Sequence, residues 1–242
     1  MATAIFDVNS FRFERGSPLK VTKEKAAENR AALVHAAGTL FRERGIDGVG
    51  VAEISKKAGL THGALYAQFP SKEALAAEAF ASAFKGGLEQ ITADRDGRPV
   101  TLTDCLDWYL SVEHRDNLAT SCPMSASASE VARQDKVVCE RFTEGFEQLV
   151  ALMEGGLGAS PVAADNRQRA LAMMAAMIGG VAASRAVAKA DSKLSNDILR
   201  AVRQIVGELG GEERPVDGAR GRARATSKRA RGLRAAVHTR LS

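Results

Sequence analysis

The chain has 242 residues, enough for a small module beside a larger one, and its 45% hydrophobic and 26% charged content is ordinary for a globular protein with a sizeable core. Three cysteines, Cys105, Cys122 and Cys139, form no CxxC pair, so neither a disulfide scaffold nor a metal site is expected, and the compartment reads as reducing. The net charge of +5 hides a split: Arg220, Arg222, Arg224, Lys228, Arg229, Arg231, Arg234 and Arg240 face no acid after Asp217, and they outweigh the whole excess.

The remainder is therefore slightly acidic, and only residues 1–70 and the tail suit a polyanion. No apolar run approaches the ~20 residues of a membrane span and no signal-peptide pattern opens the chain, so a cytoplasmic protein without a membrane partner is expected.

Residues 1–21 show no sustained period and read as a flexible arm. Thr22 then offers an N-cap, Glu24 sits where the helix dipole favours an anion, and Leu33, Val34, Ala37, Leu40 and Phe41 make one apolar stripe of a first helix ending at Gly45. A second helix opens at Gly50, with Val51, Ile54 and Ala58 as its stripe and Glu53 placed to reach back toward the cap. Gly59 ends it. Thr61 caps a short third helix in which Leu65 and Phe69 point to the core, leaving His62, Gly63, Tyr66 and Ala67 on the other side. Ser71 caps a fourth, connector-length helix through Phe84 to about Ala93, and a polar loop follows over 94–99. Further helices are predicted over Thr103–Asp116, Met124–Gln134, Asp135–Leu157, Asp165–Ala190 and Leu194–Leu209, and no strand-like alternation occurs, so the fold is all-α. From 212 to 242 glycine, arginine and alanine dominate, and a basic, disordered tail is expected.

The segment from 50 to 69 has the layout of a helix-turn-helix, whose first helix props the second in the major groove of double-stranded DNA. Small residues at Gly63, Ala64 and Ala67 let the backbone approach, Thr61 and His62 offer hydrogen bonds, Tyr66 reaches a phosphate, and Lys56, Lys57 and Lys72 neutralise charge.

Residues 27–87, above all GLTHGALYAQFPSKEAL with AAGTLFRERG and VAEISKKAGLT before it, resemble the N-terminal domain of TetR/AcrR-family transcriptional regulators. The resemblance implies a DNA-binding domain over 22–87, with His62, Gly63 and Tyr66 on the recognition helix and Thr61, Tyr66 and Lys72 at positions that often touch bases or phosphates. Gly50 departs from the Thr or Ser that opens the propping helix in many relatives. The family implies that residues 88–211 form a helical ligand-binding and dimerisation domain, the last two long helices pairing with their twofold mates and small residues such as Gly179, Gly180, Ala182 and Ala183 allowing close approach. It implies a homodimeric repressor on a palindromic operator, released by a small-molecule effector, with no cofactor and no enzymatic activity.

Cys105, Trp108, Tyr109, Met124, Phe142, Phe146, Met173 and Met177 are the candidate lining of an apolar effector pocket. Cys122 precedes Pro123 at an expected helix start, where the dipole favours a reactive thiolate, so oxidation or alkylation of Cys122 is an alternative inducing signal. A cysteine-nucleophile enzyme is disfavoured, since His114 is the only histidine of the body; a nonspecific architectural DNA protein is disfavoured by the acidic body.

Overall fold

A computed structural model describes residues 22–92, 98, 100–158 and 165–212. Within them the chain is all-α, with helices α1 (Lys23–Arg44), α2 (Val51–Lys57), α3 (His62–Gln68), α4 (Lys72–Thr92), α5 (Leu102–Tyr109), α6 (Val112–Asp116), α7 (Pro123–Val131), α8 (Lys136–Gly156), α9 (Asn166–Ala188) and α10 (Ser192–Gly210). The expectations for residues 1–21, for most of the loop at 94–99 and for the basic segment from 213 on concern residues outside the described ones. Glu212, assigned to the tail by sequence, is instead docked: its carboxylate accepts from the Thr103 hydroxyl at 2.6 Å and from Arg203 at 2.7 Å.

Short polar side chains set the helix starts, because the first backbone N–H groups of a helix lack intrahelical acceptors. Thr22 accepts from Lys25 N at 3.2 Å, Thr61 from Ala64 N at 3.3 Å, and Ser71 from Ala74 N at 3.1 Å. Glu53 does not cap α2 as its spacing predicts; it reaches Arg44 at the end of α1, and Gly50 caps through its backbone alone. The predicted single helix over Thr103–Asp116 is two. A Thr101–Asp104 capping box starts α5, and Ser111 ends it by donating to the Trp108 carbonyl at 2.8 Å while accepting from His114 N at 3.0 Å, which starts α6.

Two hydrophobic clusters organise the molecule. The first holds Leu33, Ala37 and Leu40 of α1, Ile54, Leu65, Phe69 and Leu75, and it also takes in Val131 and Val138 from α7 and α8. The second gathers Phe80, Phe84 and Leu88 of α4 with α5 and α8–α10. Helix α4 thus belongs to both, its first half to one core and its second half to the other, and Phe142 packs on each. Polar contacts close the same seam: Glu130 accepts from Asp47 N at 2.9 Å, and Arg42 Nε donates to the Ala119 carbonyl at 2.8 Å.

Helix α9 corrects a sequence expectation, since by length and composition, at a mean hydropathy of 1.6, it is apolar enough to cross a membrane. Here it is a core helix. Ala170, Met173, Met174, Met177 and Val181 are buried, and it packs against α10, α8, α7 and α6. Arg169 within it is 1% exposed and caps the end of α10, donating from Nε to the Leu209 carbonyl at 2.9 Å. Gly180 is used inside the chain: a Cβ there would stand 2.9 Å from Val202 Cγ2, so glycine lets α9 and α10 meet. Gly179 beside it faces open space and is exposed.

Candidate functional site

The α2–α3 pair forms around three side chains that sequence spacing sends inward: Ile54, Leu65 and Phe69 are all essentially fully buried. The turn between the helices needs a residue at positive φ, and Gly59 stands at φ 68°, a region that side-chain-bearing residues rarely adopt. Leu60 N then bonds the Ser55 carbonyl at 2.9 Å, fixing the angle at which α3 leaves.

The outer face of α3 carries His62, Gly63, Tyr66 and Ala67, all exposed. Tyr66 is 51% exposed, unusual for a large aromatic with an apolar core available one residue away. His62 meets it edge-on at 5.2 Å between ring centroids, so the two rings share one surface patch. A Cβ on Gly63 would meet nothing within 4 Å, and the same holds for Gly50 at the start of α2. Neither glycine is demanded by packing in the chain. Lys57 lies 3.9 Å from Glu43, and Lys72 is the first residue of α4, half-buried.

Arg30 anchors this module and was not singled out by sequence. Its guanidinium lies 4.1 Å over the Phe69 ring, donates from Nη1 to the Gln68 carbonyl at 2.5 Å, and bonds Glu78 through Nε at 3.0 Å. One side chain of α1 therefore holds both the end of α3 and the first half of α4.

Behind the module lies a cavity of about 270 Å³. Its wall combines Val34, His35, Gly38 and Arg42 of α1, the stretch of α4 from Ala79 to Ile91, and residues of α5, α7, α8 and α9. Most of it is apolar. Tyr109 lines it, 3% exposed, and its hydroxyl makes no well-formed hydrogen bond, with Cys122 and Ser125 close enough to perturb it. Burial, reinforced by Cys122, pushes the Tyr109 hydroxyl well above the usual phenol range.

Cys122 also borders the cavity, at the N-cap of α7 with Pro123 as first helical residue. Its backbone N–H points to Nε2 of His114 at 3.4 Å. His114 packs 4.5 Å from the Trp108 ring and 4.7 Å from the Tyr109 ring; burial, then the charge of Arg185, lowers its pKa to about 4. Arg185 turns to the Arg115 carbonyl at 2.7 Å and to Ser125 at 3.2 Å. None of the three cysteines forms a disulfide.

Residues 33–79 match the profile of bacterial regulatory proteins of the tetR family. The chain is 46% identical over 56 residues to the HTH-type transcriptional regulator YdgC of Bacillus subtilis, and 43% identical over 54 residues to the HTH-type transcriptional regulator TtgR of Pseudomonas putida. These stretches are 23% and 22% of this chain and 29% and 26% of the two relatives, so the chain matches less than a third of their length. The reduced form of NemR from Escherichia coli superposes with a TM-score of 0.58 at 19% identity, over 74% of this chain and 95% of that one, a likeness of fold.

Residues 33–79 therefore carry a tetR-family N-terminal domain. Within this domain Thr61, His62, Gly63 and Tyr66 lie together on or at the start of α3, with Lys57 on the preceding helix α2. Of the residues named for an effector pocket, Cys105, Trp108, Tyr109 and Met177 line the cavity, and Cys122 joins them. Met124, Phe142, Phe146 and Met173 do not. Met124 is fully buried against Gly145, where a Cβ would come within 3.0 Å of its Cε; Met173, one turn before Met177, packs toward Gly210. Phe142 lies 5.6 Å from Phe80 at the seam and stacks on Phe146 at 6.4 Å. The residues missed, His35 and Arg42 above all, sit on a helix that sequence assigns to the DNA-binding module.

Proposed function

We propose that the protein is a sequence-specific transcriptional repressor of the cytoplasm, acting as a homodimer on a palindromic operator and released by a small-molecule effector. The observation that carries this reading is the exposed His62–Gly63–Tyr66 face of α3, held on a helix whose opposite face is buried and whose end is pinned by Arg30. A side chain as large as Tyr66 left half in water, its ring touching only the equally exposed His62, suits a groove-reading surface. Thr61, Lys57 and Lys72 supply the flanking hydrogen bond and charge.

A second copy is supported by α10, where Leu194 and Ile205 are exposed at 46% and 52% and Ile198 and Ala201 lie between them at helical spacing. Exposed Leu171, Ala175, Gly179, Ala182 and Ala183 make a matching, shallow stripe on α9. The cavity supports an effector. Cys122 on its wall supports the second reading, in which modification of the thiol is the inducing signal.

Selection from a random-sequence duplex pool tests the main reading. It should return a palindrome with half-sites about one helical turn, ~34 Å, or a multiple apart, bound by two copies of the chain. A pool that fails to converge, or a bound stoichiometry of one, overturns it.

A further inference from the structure

Resting on the reading of the body as an effector-binding unit, we infer that the cavity takes a compact amphipathic anion, an aryl or branched alkyl carboxylate, whose charged group is held by Arg42 of α1. The volume of about 270 Å³ lies just below the roughly 300–1,000 Å³ typical of pockets for drug-sized molecules, so the ligand is small. Phe84, Leu88, Leu149, Leu152 and Met177 give it an apolar bed.

Arg42 is the charged exception on that wall. Its Nε and Nη2 both donate to one acceptor, the carbonyl of Ala119, and among the described residues no carboxylate lies within 4.0 Å of it. Arg30, Arg44, Arg98 and Arg203, by contrast, each hold a carboxylate. Burial pulls the Arg42 pKa below the ordinary guanidinium value, with Cys122 and Glu43 working against the shift, so the charge is poorly solvated where it stands. A guanidinium in this position favours a planar carboxylate that it can grip through two N–H groups. Tyr109 offers a buried hydroxyl on the same wall, free to meet a second polar group of the ligand.

The placement matters because α1 is part of the DNA-binding core through Leu33, Ala37 and Leu40. A carboxylate that recruits Arg42 competes with the Ala119 carbonyl and loosens the tie between α1 and the turn before α7. The ligand therefore favours whichever arrangement of the module frees Arg42, which is the differential affinity that any release of DNA requires.

The test titrates 3-phenylpropionate, 4-phenylbutyrate and cyclohexylacetate, each beside its uncharged primary amide, into the full chain without DNA. Trp108, the one tryptophan of the chain and part of the wall, reports binding by its emission. At least one acid should give a saturable change, with its amide at least tenfold weaker. Arg42→Gln should bring acid and amide together, and Arg42→Lys should keep part of the preference. Gly87→Leu, at a wall position where a Cβ meets nothing within 4 Å, should fill the cavity and abolish both signals while leaving the fold intact. Amides that bind as well as acids, or an Arg42→Gln protein that keeps the preference, overturn the anion assignment while leaving an effector site in place. Signals that survive Gly87→Leu overturn the location. No saturation by any acid or amide overturns the inference, while the DNA selection judges the regulator reading on its own.

Discussion

Replacing Gly63 with alanine separates what α3 needs in order to fold from what it needs in order to meet DNA. In the free chain the new methyl group meets nothing within 4 Å, and Gly63 has no positive φ to lose. Alanine is preferred to glycine in a helix by about 0.8–1.0 kcal/mol, less in a first turn, so the variant should be more stable by about 0.5–1 kcal/mol. For a chain of this size that is a rise in midpoint of roughly 1–4 °C. On DNA the sign reverses. The methyl carbon stands about 1.5 Å out from Cα on the face shared with His62 and Tyr66, and overfilling a close-packed contact costs about 1–3 kcal/mol, or roughly 5–150-fold in affinity. Thermal denaturation without DNA and fluorescence anisotropy with the selected duplex read the two halves. An unchanged affinity would refute the placement of α3 in the groove, and a fall in stability would refute the claim that packing leaves the position open.

Two further outcomes follow from the cluster around the cavity. His114 is held near pKa 4 in the folded chain against about 6.5 when unfolded, so below pH 6.5 only the unfolded chain gains its proton. Stability should then fall from pH 6.5 to about 4 by up to roughly 1.4 kcal/mol per pH unit, and His114→Asn should flatten that slope in urea titrations; an identical slope in the variant removes His114 as the cause. Carboxylates held below their usual range, Asp104 by Arg98 foremost, act in a more acidic window, where protonation removes their contribution. For the thiol reading, N-ethylmaleimide should release the wild type from its duplex and leave Cys122→Ser bound, whereas release of both proteins would point to Cys105 or Cys139 instead.

The α3 face was legible in the sequence because its determinants are local. The buried residues Leu65 and Phe69 repeat at helical spacing, the Thr61 cap acts three residues away, and the turn glycine is one residue wide. The cavity was only half legible because its wall is assembled from six helices, and periodicity cannot tell which neighbour a buried side chain will meet. Met173 and Met177 lie on one stripe of α9, yet one packs beneath the end of α10 and the other reaches the cavity. Arg42 was invisible for the same reason: its partner, the Ala119 carbonyl, lies 77 residues away. The break at Ser111 escaped because a serine inside an otherwise helical pattern becomes a cap only when it trades its hydroxyl between two turns.

The seam along α4 bears on how recognition specificity can be recombined. Val131 and Val138 complete the core that holds α2 and α3, and Phe142 is shared with the body. A chimaera cut after residue 87 would carry the reading helix away from part of its own interior and leave that gap lined with apolar surface. New DNA specificity in this scaffold is therefore more safely installed by exchanging the few exposed residues of α3 than by transplanting the segment that carries it, because the segment is not a self-sufficient part.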